Sequence, residues 1–173
     1  MFKSAEKLLA PDPYYAGLAG FAGSTISDLH RDMLNCELFE MTPTNVRRSH
    51  DGVRHAYIYS YFSYDLLTLA AAQTFPCLEL ALRERIGKQF EGRTDRNGKP
   101  KPAMLNELLR NAREQGLIQS EIAYLRELRN MFMHGSDAVL NPPMFLVTFT
   151  TVTQIIRELY PTSNEGSRAD NRG

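Results

Sequence analysis

The stretch Leu128-Arg129-Asn130-Met131-Phe132-Met133-His134-Gly135 holds a guanidinium, an amide and an imidazole within six residues. A guanidinium binds anions through paired N–H groups, and an imidazole titrates near neutral pH, which suits it to proton transfer. On an ideal helix with Ile122 set at zero, Tyr124, Leu125, Leu128, Met131 and Phe132 fall at about 180° to 300° and Met133 at about 20°. Arg129 falls at about 340°, inside this mostly apolar arc. Asn130 and His134 lie together on the other side, four residues apart. A guanidinium so placed needs an anionic partner or an open cleft, because burying it alone is costly. Asp65 and Glu79 sit in apolar surroundings and are candidate partners for a purely structural ion pair. A histidine at a helix C-terminus can likewise serve only the helix dipole.

The elements that must position these residues read as helices. Residues 1–23, rich in Pro and Gly, form an irregular arm. Ser24 or Thr25 caps a helix to about Glu40, and Thr42-Pro43-Thr44-Asn45 is a break from which the next helix starts. From about Val53 to Ala72 the chain is apolar nearly all round, as in a central helix, with Pro76 expected to kink or divide it. The second half, Cys77 to about Phe90, carries Leu78, Ala81, Leu82 and Ile86 inward. Glu79/Arg83 and Glu84/Lys88 are spaced as i,i+4 pairs. Residues 91–101 hold no apolar residue and predict a mobile loop. Pro102 suits the first turn of the next helix, which Gly116 stops. Another helix is expected from about Ser120 to His134. Residues 144–160 are rich in β-branched types, yet Phe145, Phe149, Val152, Ile156 and Leu159 step at the helical period. The tail from Pro161 is polar and predicts disorder. The expected fold is all-α, a bundle of five to six helices: an arm and first helix over 1–45, a helical domain over 46–160, and a tail over 161–173.

Composition narrows the classes. The chain has 173 residues, with 20 Lys+Arg against 20 Asp+Glu. The balanced charge excludes a chain-wide cationic surface but not a local basic patch. Two cysteines, Cys36 and Cys77, make neither a disulfide framework nor a zinc site. No uninterrupted apolar run approaches the roughly 20 residues that cross a bilayer. The first residues lack the apolar core of a secretion signal. A cytoplasmic protein without cofactor or metal is expected.

Arg, an adjacent polar residue and a His at a helix end before Gly resemble the Arg-x4–6-His motif of the HEPN superfamily, the higher eukaryotes and prokaryotes nucleotide-binding domains. The aromatic-rich helix leading into Phe75-Pro76-Cys77-Leu78-Glu79-Leu80-Ala81-Leu82-Arg83-Glu84-Arg85 is similar to that family's long early helix. The order of helix, basic loop, short helix, motif helix and final helix matches over roughly residues 55–160. The resemblance implies a metal-independent endoribonuclease of toxin–antitoxin or phage-defence type, with Arg129, Asn130 and His134 catalytic and two protomers lining one cleft. Arg129 and His134 are about 140° apart on a straight helix, which is compatible with one chain's Arg working near the other's His. RNA, a second copy of the chain and an antitoxin protein are the implied partners. The alternatives are a non-catalytic module that binds RNA or a nucleotide, or partners an antitoxin or nucleotidyltransferase, and a structural domain in which Arg129 is salt-bridged.

Two basic clusters could follow an RNA backbone. One lies in Arg47-Arg48-Ser49-His50-Asp51-Gly52-Val53-Arg54-His55, and the other is Arg93, Arg96, Lys99 and Lys101. Each is also what an ordinary solvated surface run looks like. His50 and His55 are five apart, not the spacing that puts two metal ligands on one helix face. Gly17, Gly20 and Gly23 do not form the dinucleotide-binding fingerprint and read as loop flexibility.

Overall fold

A computed structural model describes residues 3–17, 24–133 and 140–162. The expected disorder beyond residue 162, and the Gly20 and Gly23 positions, lie outside the described residues. Within them the fold is all-α. A short helix α1 (Pro13–Ala16) in the arm is followed by α2 (Ile26–Leu34), α3 (Thr44–Tyr59), α4 (Asp65–Ile86), α5 (Leu105–Glu114), α6 (Leu125–Met133) and α7 (Pro142–Leu159).

Local chemistry sets most boundaries. Thr25 and Asp28 form a reciprocal capping box at the start of α2. That helix stops at Leu34 rather than near Glu40. Arg54 donates to the Met33 carbonyl, and Arg157 donates to the carbonyls of Asn35 and Glu37. Guanidinium groups from α3 and α7 thus satisfy the acceptors that a further helical turn would have used. Gly116, at φ +71°, ends α5 as expected. The Gly116 N–H donates to Arg113 O and the Leu117 N–H to Ala112 O, the paired bonds of a left-handed C-terminal cap. Pro102 lies ahead of α5, which begins at Leu105 rather than at the proline.

The long apolar stretch breaks at a different place from the one its pattern predicts. Residues 53–72 are not one helix, because α3 ends at Tyr59 and α4 starts at Asp65. The arm makes this corner. The Asp12 N–H donates to Tyr61 O at 2.8 Å, and the Asp12 carboxylate accepts from the Tyr64 N–H at 3.1 Å. Lys3 Nζ donates to Phe62 O at 2.7 Å. Tyr15 OH and Ser60 Oγ lie 2.6 Å apart, and Ser60 Oγ donates to Tyr57 O. Pro76, in contrast, sits inside a continuous α4. Its ring is on the exposed side, while Phe75, Cys77 and Leu78 beside it are buried, so tertiary packing holds the helix through the missing N–H.

The final element is helical despite its β-branched content. Asn141 caps it, accepting from the Met144 N–H, and Pro142 and Pro143 occupy its first turn. The hydroxyls of Thr148, Thr150, Thr151 and Thr153 donate to carbonyls four residues back. These bonds satisfy polar side chains that would otherwise compete with the helix.

Two apolar clusters share α3, α4 and α7. One is aromatic: Tyr15, Leu29, Met33, Val53, Tyr57, Leu67, Phe145 and Phe149 are among its buried members. The other is aliphatic and takes in Val46, the second half of α4, α5, Ile118, Leu125 and the second half of α7. Residues of the arm and of α2 are therefore integral to the first cluster. The stretch Asp65–Phe90 is long and apolar enough to cross a membrane by length and composition, more than the sequence pattern suggested. Half of its most apolar window is buried inside the bundle, as in the core helix of a packed domain.

Candidate functional site

Helix α6 is positioned from its N-terminal side. The Glu121 carboxylate accepts from the backbone N–H groups of Ala123 and Ile122 and from Arg113. The Ala123 N–H first, and then Arg113, hold that carboxyl below its usual pKa range. Glu158 of α7 accepts from both N–H groups at Gln119 and Ser120. Tyr124 donates to Thr151 Oγ1 at 2.8 Å, and Leu125 is buried in the aliphatic cluster with Leu128 packed against it. The helix starts at Leu125, five residues later than expected from Ser120.

With Leu125 and Leu128 inward, Arg129 is half-buried and Asn130 exposed. Neither expected carboxylate claims Arg129. Glu79 pairs with Arg83 at 2.7 Å, and Asp65 lies exposed at the start of α4. Among the described residues Arg129 makes no ion pair or side-chain hydrogen bond. His134, the third member of the constellation, lies outside the described residues, as do the side chains at 131–133. The pairing of Arg129 with the imidazole therefore stands as an expectation.

The segment 91–101 is a defined turn. Thr94 and Pro100 form an antiparallel bridge, the Asp95 carboxylate accepts from the N–H groups of Asn97 and Lys99, and Gly98 takes φ +75° at the tip. Arg93 is fixed at its base, paired with Glu107 at 2.8 Å and set over the Phe90 ring at 5.4 Å. Its charge is thus partly spoken for, whereas Arg96, Lys99 and Lys101 are exposed. The predicted i,i+4 pair of Glu84 with Lys88 does not form. Glu84 instead accepts from Asn45 Nδ2 at 2.6 Å.

Helix α3 holds the other basic cluster. Val46, His50, Val53 and Tyr57, at i, i+4, i+7 and i+11, are its buried face. His50 is a core residue and not a surface one. Its ring stacks on Phe149 at 4.6 Å, and Nε2 lies 2.9 Å from Thr153 Oγ1. Because Thr153 donates its own proton to Phe149 O, Nε2 carries the proton and Nδ1 is left without a partner. Burial, reinforced by the nearby Arg54 charge, pushes the His50 pKa down to about 4.

From the edge of that buried face round to the outer side of α3, a cavity of about 700 Å³ is lined by Thr44, Arg47, Arg48, Arg54 and His55, among others, with Glu37 and Leu38 as the far wall. A second cavity of about 320 Å³ shares Asp51, Arg54 and His55 and extends to His30 and Tyr59. Sequence reasoning had the arginines but missed His30 and Tyr59. The i,i+4 step from His55 to Tyr59 carried that signal. Among the described residues no group of three His, Cys, Asp or Glu side chains is placed to hold a metal ion.

The fold and these two sites define a helical bundle in which Arg47 and Arg48 of α3 and Arg129 of α6 have no carboxylate partner among the described residues. No family model, curated protein or solved structure matches the chain.

Proposed function

We propose that the chain is a metal-independent, HEPN-like endoribonuclease of the toxin or phage-defence type, working at a cleft between two copies. The observation that carries this reading is Arg129. It is half-buried on α6, beside the exposed Asn130, and no carboxylate among the described residues neutralises it. A desolvated guanidinium without a counter-ion favours an incoming phosphate.

The reaction is attack of an RNA 2′-hydroxyl on its adjacent phosphate. A base removes the 2′-proton, the new P–O bond forms, the bond to the 5′-oxygen breaks, and that oxygen takes a proton. The products are a 2′,3′-cyclic phosphate and a 5′-hydroxyl. His134 acts as base or acid, Arg129 holds the non-bridging oxygens as charge builds on them, and Asn130 orients the imidazole or donates to the phosphate.

Purified protein is incubated with labelled RNA in the presence of a chelator. Cleavage with cyclic-phosphate ends is expected, and Arg129→Ala or His134→Ala should reduce it about 100-fold or more without lowering the melting temperature. Undiminished cleavage by either variant overturns the assignment. A second reading, a non-catalytic RNA-binding or antitoxin-partner module, is favoured by the unclaimed Arg47 and Arg48, which need no histidine. RNA binding without cleavage would select it.

A further inference from the structure

The first turn of α3 lacks both of the devices that neutralise a helix N-terminus. A helix N-terminus carries partial positive charge and favours carboxylates. Helices α2, α4, α5 and α6 have Asp28, Asp65, Glu107 and Glu127 in their first turns, and α1 and α7 have no acid there but are capped by Asp12 and Asn141, whereas α3 has neither. Arg47 and Arg48 follow at its fourth and fifth positions instead. Neither guanidinium makes an ion pair or a hydrogen bond among the described residues. Arg47 Nε is sheltered from solvent with no acceptor, and a buried donor left unsatisfied is destabilising.

The neighbouring charges do not repair this. Asp51 pairs with Arg54 at 2.7 Å, and Glu84 accepts from Asn45. Within the cavity that leaves Glu37 alone against two free guanidinium groups. Arg54, held at once by Asp51 and by the Met33 carbonyl, is a rigid part of the wall. Along the same face, Arg48, His55 and Tyr59 follow at one rim. Arg48 and Tyr59 are three helical turns apart, about 16 Å. Tyr59 is 52% exposed, with the His55 ring 6.5 Å from it. A cationic groove with an exposed aromatic ring along it is how single strands are held without sequence preference, phosphates on the cations and bases on the rings.

We propose that the groove along α3 binds single-stranded RNA, with Arg47 and Arg48 taking backbone phosphates and Tyr59 stacking a base. This takes from the reading above only that RNA is the polyanion. It places the strand on a helix other than the one that carries Arg129.

The test is fluorescence anisotropy with a labelled, uncleavable 2′-O-methyl RNA oligomer on the full chain, at several salt concentrations. Arg47→Ala/Arg48→Ala should weaken binding at least 100-fold and flatten the slope of log K against log salt by about 1.4, the release expected for two single-strand phosphate contacts. Tyr59→Ala should weaken binding at least fivefold with no change of slope, and Arg48→Lys should retain most of the affinity. Wild-type affinity and slope in the double variant, or no binding by the wild type, overturns the proposal. So does displacement of the oligomer by ATP with equal affinity for short and long strands, which would mark a mononucleotide site. Cleavage of ordinary RNA by the wild type separates the two readings. If the wild type binds the oligomer, the Arg47/Arg48 double variant does not, and the wild type cuts no RNA, the nuclease reading fails and the groove stands. If the wild type cuts RNA but the double variant binds unchanged, the groove fails alone.

Discussion

The two apolar clusters divide α4 and α7 between them and use different chemistry. In the aromatic cluster Tyr57, Phe145, Phe149 and His50 form one continuous stack, with centroids 4.9, 5.3 and 4.6 Å apart. Its rings have polar ends tied to other elements: Tyr57 OH donates to Asp32 at 2.7 Å, His50 meets Thr153, and Tyr64 OH donates to Leu140 O. The aliphatic cluster is built from Leu, Ile, Val and Ala around Phe75, with Tyr160 donating to Ala81 O at its rim. Dispersion and burial stabilise both, but only directional bonds fix the rotation of a helix about its axis. Because His50 and Tyr57 lock one face of α3, Arg47 at its edge and Arg48 and His55 on the outer side are held in place. A cluster of aliphatic side chains could fill the same volume without setting that orientation.

The largest effect that separates the clusters should come from the middle of the stack. Phe149→Ala is expected to cost about 3–5 kcal/mol, since it removes a fully buried ring and both of its stacking partners' contacts. Leu82→Ala, equally buried in the aliphatic cluster, should cost about 2–5 kcal/mol. Urea denaturation gives both values. A Phe149 variant clearly more stable than the Leu82 variant would show that the stack does not hold the bundle.

The clusters also differ in their response to acid. His50 is neutral when folded, with its pKa at about 4 against 6.5 for the free side chain. Below pH 6.5 the unfolded chain takes up a proton that the folded one refuses, so stability is full above that pH and falls as pH drops toward 4. The loss is about 2 kcal/mol by pH 5. His50→Gln keeps a donor toward Thr153 and removes the titration. It should lose correspondingly less than wild type between pH 7.5 and 5, read from urea midpoints. Parallel pH curves for the two would remove His50 as the acid-sensitive group.

What the sequence revealed divides along the same line. Elements held by local signals were legible: the Thr25 cap, Gly116 after α5, and the step of four and three in α7. The aliphatic face of α4 was legible too, because its periodicity is set by one neighbourhood. The corner at residues 60–64 was not, since Tyr61, Phe62 and Tyr64 continue the apolar pattern and the groups that end α3 come from Lys3 and Asp12, some fifty residues earlier. His50 sat in a run of charged residues and looked like surface. Its place in the core depends on Thr153, 103 residues away. For the candidate sites the sequence supplied the residue types, Arg129 and Arg47 among them. Whether a carboxylate claims each guanidinium is a fact of tertiary structure, and no spacing encodes it.

The smallest effect isolates the corner itself. The Asp12 carboxylate accepts from the Tyr14 N–H at 3.0 Å and from the Tyr64 N–H at 3.1 Å, so one side chain caps α1 and the entry to α4 together. Asp12→Ala should cost about 1 kcal/mol, within the range for removing one helix cap. Its signature is local. Amide exchange should quicken at Tyr14 and Tyr64, while Leu108 and Ala112 of α5, which face the aliphatic cluster, keep their protection. Equal acceleration in both places would mean that the arm stabilises the bundle as a whole and that the two clusters open as a single unit. Acceleration confined to the corner would mean that the aromatic half can loosen at its edge while the aliphatic half stays closed.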